Sequence, residues 1–594
     1  MSPTRPGPPE PPGKRHEVRV RVSAGRTAGS PGWRESSLTR RNLSAPWPPA
    51  PDGHCGGQRP PRARVLAEGA KHGDNVEPES KEQLFETASC EALRRRPSRA
   101  STRDLREGAR RSVCPAARAS SRENPTPGRI APSGSRAPAN AAVTPSPVAP
   151  KTRAEMVETG RALRSLAPRR SHGGWRPASD RPDPLDILDG SNATRLSDLV
   201  PVRNGRMMAS PFAFYRGAPA IMAADLCRTP ATGIRLQICG DAHLLNFGTF
   251  ATPERNQVFD VNDFDETQVG PWEWDIKRLA ASLVVAARTA GLADGDGMTA
   301  AQGCTAEYRT EIMKMAQLSA FEVWHSQLDV ETIIADVSAK AARSLARQSV
   351  AKARQRTSLQ ALSKLTTVRD GRRVIVEDPP VVIRLSDMQL EQARGFVKAY
   401  LATLDPDRVL LLDRYEFVDA ALKVVGVGSV GTRCFVALLA GKADLDPLFL
   451  QAKEAQASVL APYVGRSRYR NQGKRVVVGQ RVMQAAGDAL LGWARADGFD
   501  TYVRQLRDMK GSVPLEVARP DDLILYGRLC GATLARAHAR AGQPALLAGY
   551  LGSSAAFDEA LAAFALAYAD QNDRDYESFL NGIRSGRLRA EPGR

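Results

Sequence analysis

Two stretches of the chain concentrate side chains that could act on phosphate groups, and the first is rich in carboxylates. Cys-Gly-Asp-Ala-His-Leu-Leu-Asn-Phe-Gly (239–248) is followed by Val-Phe-Asp-Val-Asn-Asp-Phe-Asp-Glu (258–266). The second segment carries four acids: Asp260, Asp263, Asp265 and Glu266. So many like charges in one place repel one another unless a cation neutralises them. Mg²⁺ needs only one or two protein carboxylates, since water and phosphate oxygens complete its shell. These segments therefore predict a magnesium site.

The spacing of these residues is similar to that in protein kinases and aminoglycoside kinases. In those enzymes a catalytic-loop aspartate accepts the proton of the acceptor hydroxyl, and an asparagine five residues later holds metal together with a further aspartate. The similarity implies that Asp241 and Asn246 are catalytic. It also implies that Asn246 and either Asp260 or Asp263 hold the metal, and the sequence leaves that choice open. His243 is expected to support the loop by hydrogen bonds.

The second stretch contains a glycine-rich loop after a strand-like run. Its residues are Gly426, Gly428, Ser429 and Gly431. A dinucleotide-binding loop would need a helix directly after the glycines, whereas Thr-Arg-Cys-Phe-Val-Ala-Leu-Leu suits a second strand. The pattern therefore favours a hairpin that covers nucleotide phosphates. A further strand-like run ends at Lys453, which resembles the strand lysine that pairs with those phosphates in kinases.

Two features of this second stretch depart from the kinase pattern. The glycine loop follows Asp241 in the chain, whereas kinases place it first. The glutamate that usually pairs with the strand lysine is also missing, because the next glutamate after Glu454 is Glu516. A circular permutation would explain the reversed order, since the ends of a domain often lie close together.

Arginines close to Ser-Pro-Phe-Ala-Phe-Tyr-Arg-Gly (210–217) could support phosphate binding. Arg206 and Arg216 carry the fork of donors that suits phosphate or carboxylate, and surface charge is the alternative reading. Asp265 is expected to support the metal loop in the same way as His243.

Composition separates a tail from a body. Residues 1–155 hold 28 of the 84 Lys and Arg, 15 of the 65 Asp and Glu, and 23 of the 42 Pro. Such a segment cannot bury enough apolar surface to order itself, so it is predicted to be a disordered tail that could bind polyanions weakly. The alternative, which we favour, is that it is an extension upstream of a true start at Met156. The remaining residues are close to neutral, which gives no support to nucleic-acid binding by the body.

Cysteines and apolar runs bear on where the protein works. The eight cysteines are scattered without a C-x-x-C pair, which is typical of reduced thiols in a cytoplasmic protein. The best apolar run, Leu-Ala-Ala-Ser-Leu-Val-Val-Ala-Ala (279–287), is too short to span a membrane. A cytoplasmic protein without a membrane partner is expected.

Several blocks resemble the bacterial domain-of-unknown-function family numbered 2252 over about residues 160–585. The blocks are RMMASPFAFYRG, CGDAHLLNFG, VFDVNDFDETQVGPWEWDIKRLAAS, VGVGSVGTR, LFLQAKEA and YVRQLRDMK. The resemblance implies that the tail is not part of the family domain, and it supplies no function.

These observations predict an α+β, two-lobed, protein-kinase-like fold that a circular permutation would reorder. The expected parts are the tail 1–155, a largely helical half 160–370 with the catalytic and metal loops, a β-rich lobe 371–515 with the glycine loop and lysine, and a helical segment 516–590 that packs on the first half. The predicted function is ATP- and Mg²⁺-dependent phosphate transfer to an unknown small molecule or protein. The alternatives are a metal-dependent hydrolase that uses the acids of 241–266 and a non-catalytic nucleotide-binding protein.

Overall fold

A computed structural model gives the structure of residues 151–336, 347–348, 350–441, 446–496, 498–506, 509–511 and 519–591, which all fall within one unit, 137–594. The predicted tail therefore lies outside the described residues except for its last five. Within those five a helix begins at Arg153, because Thr152 and Glu155 cap it reciprocally.

Helices dominate the described residues before the large sheet. They are α1 (Arg153–Ala162), α2 (Pro184–Asn192), α3 (Val200–Met207), α4 (Pro211–Gly217), α5 (Pro219–Leu226), α6 (Trp272–Thr289), α7 (Asp294–Met315), α8 (Ala320–His325), α9 (Val330–Asp336) and α10 (Ser358–Leu365). Short 3-10 helices lie at Arg169–Gly173, Ser197–Leu199 and Leu244–Asn246.

Short strand pairs interrupt this helical part. The strands are β1 (Arg235–Ile238), β2 (Phe247–Ala251), β3 (Gln257–Val261), β4 (Gln268–Pro271), β5 (Thr366–Arg369) and β6 (Arg372–Ile375). They pair antiparallel as β1 with β4, β2 with β3 and β5 with β6. The two stretches of the first motif thus lie on the loop after β1 and on the turn after β3.

The later part of the chain builds a six-stranded antiparallel sheet in the order β11-β12-β10-β9-β8-β7. Its strands are β7 (Val382–Arg384), β8 (Tyr415–Lys423), β9 (Cys434–Gly441), β10 (Pro447–Glu454), β11 (Gly492–Ala496) and β12 (Phe499–Gln505). Helices α11 (Asp387–Leu401), α12 (Pro406–Leu412), α13 (Ala461–Val464) and α14 (Gln472–Met483) accompany it. The chain then returns to helix in α15 (Pro520–Ala541), α16 (Pro544–Leu551) and α17 (Ala556–Arg584).

The largest core lies where the C-terminal helices meet α6 and α7. Leu279, Tyr308, Leu534 and Phe564 are fully buried there and come from α6, α7, α15 and α17 respectively. Every residue of α6 from Trp272 to Ala287 is buried, so the helix is surrounded by other parts of the protein on all sides. Its interior position gives the loops that it contacts a rigid support.

Helix and sheet are both present in quantity, and the predicted α+β class is confirmed. The kinase-like architecture and its permutation stay predictions. None of the helices in the described residues is long and apolar enough to cross a membrane. The cysteines of the described residues are free thiols.

Candidate functional site

One cavity of about 270 Å³ contains residues of both predicted stretches. Its wall includes Asp241, His243, Asn246, Asp263, Asp265 and Glu266 from the first stretch and Gly426, Gly428 and Ser429 from the second. The remaining wall comes from the segment that holds α2 to α5 and from residues 454–459 at the end of β10. The fold thus brings side chains together that are almost two hundred positions apart.

One face of α6 holds the loop after β1. The carboxylate of Asp275 accepts the backbone N–H of Cys239 (2.8 Å) and of Gly240 (2.9 Å). One turn further along, Arg278 pairs with Asp241, and Ser282 Oγ then accepts the N–H of Leu244 (3.0 Å). Positions three, four and seven apart lie on one side of a helix. This face therefore fixes the loop at its start, middle and end.

Asp241 is held by a buried arginine. Arg278 Nε lies 2.5 Å from Asp241 Oδ1, and the guanidinium stands 4.4 Å from the ring centre of Tyr215. Burial raises the pKa of Asp241, while the charge and hydrogen bond of Arg278 oppose that rise. The carboxylate of Asp241 therefore lies on the cavity wall in an orientation that Arg278 fixes.

Asn246 and His243 shape the loop around Asp241. Asn246 Nδ2 donates to the backbone carbonyl of Asp241 (2.6 Å), which leaves its amide oxygen as an acceptor. His243 Nδ1 accepts the N–H of Leu245 (3.2 Å). Burial, together with Arg216 and Arg278, holds the pKa of His243 well below its usual range. The ring is therefore neutral, with its proton on Nε2.

The structure places the two candidate metal aspartates differently. Asp260 lies in β3, where its Oδ2 faces Arg540 at 3.5 Å and its Oδ1 accepts the N–H of Val261 (2.8 Å). Asp263 follows the strand end, lines the cavity, and accepts the N–H of Asp265 (3.2 Å). Of the two, only Asp263 presents its side chain to the cavity.

Asp265 joins the two stretches directly. Lys453 Nζ lies 2.6 Å from Asp265 Oδ2, and the hydroxyl of Tyr502 donates to Asp265 Oδ1 at 2.5 Å. Ser429 of the glycine loop donates to Oδ2 as well (3.1 Å). Lys453 and Tyr502 face each other across β10 and β12, so the sheet presents both donors together.

Charge dominates this contact. Burial alone would raise the pKa of Asp265, but Lys453 and the hydrogen bonds of Lys453 and Tyr502 lower it to about 2. Burial alone would lower the pKa of Lys453, whose side chain is 2% exposed. The negative charges of Asp263 and Asp265 outweigh burial and hold this pKa well above the usual range. The lysine therefore stays charged although it is buried.

The glycine loop is a hairpin between β8 and β9, as the sequence predicted. Leu422 pairs with Phe435 at its base, and a strand, not a helix, follows the glycines. Gly426 and Gly431 have φ of 64° and 89°, which side chains other than glycine rarely adopt.

Arginines of the helical segment brace this loop. Arg195 Nη1 donates to Val430 O (2.6 Å), and Arg206 Nη1 donates to Gly426 O (2.6 Å). Arg206 lies off the cavity wall, whereas Arg195, Arg203 and Arg216 line it.

Sequence reasoning missed three kinds of residue in this site. It did not identify Asp275, which lies in the first turn of α6 and binds the loop after β1. It found no acidic partner for Lys453, because that partner, Asp265, precedes the lysine by 188 residues. It did not single out Tyr502 or Arg195, for which the sequence carries no local signal.

The oxygen donors of the cavity suit a metal that is shared with phosphates. Among the described residues no group of three or more His, Cys, Asp or Glu side chains could hold a metal by itself. Asp263 and the amide oxygen of Asn246 are donors of the type that Mg²⁺ takes, and Mg²⁺ completes its shell with water and phosphate oxygens. The donors are therefore compatible with the predicted magnesium site, which stays a prediction.

Comparison with known proteins identifies one family. Neither a curated protein nor a solved structure gives a significant match to the chain. The bacterial family described as "Uncharacterized protein conserved in bacteria (DUF2252)" matches residues 195–582, which include both predicted stretches of the cavity wall. Because this match covers more than half of the sequence and agrees with the resemblance of its motif blocks, the chain belongs to this family.

Proposed function

We propose that the protein is a nucleotide- and Mg²⁺-dependent phosphotransferase of kinase-like type that acts on an unknown small molecule or protein. The observation that carries the proposal is the contact between Lys453 and Asp265. Asp265 lines the cavity together with Asp241, Asn246, Asp263 and residues of the glycine loop. A lysine, a glycine hairpin and an acid–amide pair in one place are what positioning and electrostatic catalysis of phosphoryl transfer require. Since MgATP is supplied in the cytoplasm, the proposal also places the protein there.

The metal would be held by Asp263 and Asn246. Asp260 is the weaker candidate, because its carboxylate is buried against Arg540. Bound there, Mg²⁺ would neutralise and orient phosphate oxygens.

The chain's own residues would prepare the acceptor and the phosphates. Asp241 would orient the acceptor hydroxyl and receive its proton, while Arg278 holds the carboxylate in place. Backbone N–H groups of 426–431 would lie over the phosphates. Lys453 would exchange part of its contact with Asp265 for a phosphate oxygen.

The test compares nucleotide binding with turnover on the full chain. Thermal unfolding is measured with ATP alone, Mg²⁺ alone and MgATP, and ADP formation is measured with a mixture of small-molecule acceptors. Asp241→Asn is expected to keep MgATP binding within about twofold and to lower ADP formation by at least about 100-fold, the usual effect of removing a general base. Asp198→Asn, an exposed acid outside the cavity, is the matched control and is expected to behave as wild type.

Each other outcome points elsewhere. Full turnover by Asp241→Asn would contradict its catalytic role. Stabilisation by Mg²⁺ without nucleotide, accompanied by bond hydrolysis, would favour the hydrolase. MgATP binding without turnover by wild type would favour a nucleotide-binding protein that does not catalyse.

A further inference from the structure

The wall of the cavity that holds the carboxylates also contains three arginines. Arg203 is 1% exposed and Arg195 is half-buried, and both line the cavity from the segment that contains α2 and α3. Arg216, from α4, lines the same wall close enough to Asp241 to affect its pKa. Positive and negative side chains thus line the same cavity.

Two of these guanidiniums are held by neutral oxygens. Arg195 donates to the carbonyls of Ser191 (3.3 Å) and Val430 (2.6 Å). Arg203 donates to the amide oxygen of Asn192 (2.8 Å) and to the carbonyl of Gly217, while its Nε has no hydrogen-bond partner.

Neither arginine forms an ion pair with a carboxylate in the part of the chain that the structure describes. By contrast, Arg181, which is also largely buried, binds both Asp225 and Asp575 at less than 3 Å. Charged groups in protein interiors are normally paired. Arg195 and Arg203 depart from that rule, and both line the cavity.

The electrostatics of the wall agree with this geometry. Burial lowers the pKa of Arg195 and of Arg203, and the positive charge of Arg195 adds to the effect on Arg203. Asp265, Glu266 and Glu454 attract Arg195 from a distance and offset part of its burial. An anion in the cavity would stabilise both guanidiniums, since charge-assisted hydrogen bonds are strongest where water is excluded.

We infer that Arg195 and Arg203, with Arg216 beside them, form an anion-binding subsite that takes a phosphate or carboxylate group. The assignment rests on the proposed function in one respect, namely that the cavity is a substrate site. The group could belong to the acceptor, because Arg216 lies near Asp241, or to the nucleotide, because Arg195 contacts the glycine loop. The shared chemistry is an oxyanion bound by guanidinium groups.

The test uses inorganic phosphate as the probe on the full chain, in the absence of Mg²⁺ and nucleotide. Phosphate is expected to raise the midpoint of thermal unfolding of wild type. Arg195→Gln is expected to bind phosphate about tenfold more weakly, the effect of losing one charge-assisted hydrogen bond, and Arg195→Lys to recover part of that loss. Arg235→Gln is the matched control, because Arg235 also donates to two backbone carbonyls but lies away from the cavity.

Two results would overturn the subsite: no stabilisation of wild type by phosphate, or unchanged phosphate affinity in a folded Arg195→Gln. If MgATP competes with phosphate, the subsite takes the nucleotide's phosphates; if both bind together, it takes the acceptor's anionic group. Loss of the phosphate effect with intact MgATP binding would overturn the subsite alone. Phosphate binding without any MgATP effect would overturn the proposed function alone.

Discussion

At the scale of single residues, Asp265 connects the carboxylate-rich stretch to the large sheet and to the glycine loop. Its two oxygens receive Lys453, Tyr502 and Ser429, which come from β10, β12 and the glycine loop. Lys453 thus pairs with an aspartate from the loop between β3 and β4, although the sequence after the lysine lacks the usual glutamate. This acid is the one that follows Asp263 and Phe264.

The stability supplied by Asp265 should depend on pH. Its pKa in the folded protein, about 2, is below the ordinary value of 3.8, so its contribution is present above the ordinary value and is lost as pH falls through the folded one. We expect wild type to lose about 2 kcal/mol more of its free energy of unfolding than Asp265→Asn between pH 5 and pH 2. Denaturant unfolding over that range measures the difference.

A matched acid separates this effect from general acid denaturation. Asp198 is exposed, and Asp198→Asn should keep the pH dependence of wild type. Equal slopes for wild type and Asp265→Asn would mean that the ion pair with Lys453 contributes nothing to stability.

The sequence predicted which residues belong to the site better than it predicted where their side chains point. The choice between Asp260 and Asp263 could not be made from sequence, because every residue of β3 is buried and no alternation marks the face that each side chain takes. Asp260 pairs in register with Gly248, and its direction depends on Arg540, which lies 280 positions away. Long-range partners of this kind leave no local pattern.

At the scale of elements, α6 shows what could and could not be predicted. The spacing of Asp275, Arg278 and Ser282 predicts that they share one face of a helix, because residues three, four and seven apart lie on the same side. Nothing local indicates that this face binds the loop 239–246 and not solvent or another helix. The glycine hairpin was predictable, because β-branched runs flank its turn residues on both sides.

The glycine hairpin allows a paired test of backbone strain. Gly431 has φ of 89°, and an added Cβ would lie 3.0 Å from Arg195 Cβ. We expect Gly431→Ala to lower the free energy of unfolding by about 1–2 kcal/mol, the cost of a left-handed backbone for a residue with a side chain. Denaturant unfolding at neutral pH checks this value.

Gly428 in the same loop is the control. Its φ is not positive, and an added Cβ would come no closer than 3.5 Å to the carbonyl of Arg216. Gly428→Ala is expected to stay within about 0.5 kcal/mol of wild type, since a compatible alanine also reduces the freedom of the unfolded chain. A larger loss for Gly428→Ala than for Gly431→Ala would contradict the hairpin geometry.

At the scale of the whole molecule, Arg475 is a buried cation, like Lys453, and it connects α14 to the loop between β3 and β4. Arg475, on α14, donates to the carbonyls of Thr267 (2.5 Å), Asp265 (2.8 Å) and Gln456 (2.8 Å). Composition indicated the change from helix to sheet near residue 372, and the large sheet does begin soon after, at Val382. Composition could not indicate the contacts of Arg475, because every residue has a backbone carbonyl and the sequence does not mark which ones accept a hydrogen bond.

Loss of Arg475 should therefore weaken the whole fold. Arg475→Ala would leave three carbonyls without their donor, and we expect the free energy of unfolding to fall by about 3 kcal/mol or more. Differential scanning calorimetry would show this fall as a lower midpoint.

Arg495→Ala is the control for Arg475→Ala. Arg495 is 67% exposed and lies 3.6 Å from Asp500, a surface pair whose loss should cost less than about 1 kcal/mol. Equal effects of the two substitutions would show that α14 does not depend on its contacts with the metal loop.

The separation of Lys453 from Asp265 in the chain also sets an order of events during synthesis. Asp265 leaves the ribosome 188 residues before Lys453. At about 5–20 residues per second the acidic turn waits roughly 10–40 s for its counterion. During that interval Asp265 lacks the ammonium group that it contacts in the folded protein. This part of the cavity wall can therefore take its final form only after residue 453 has been made.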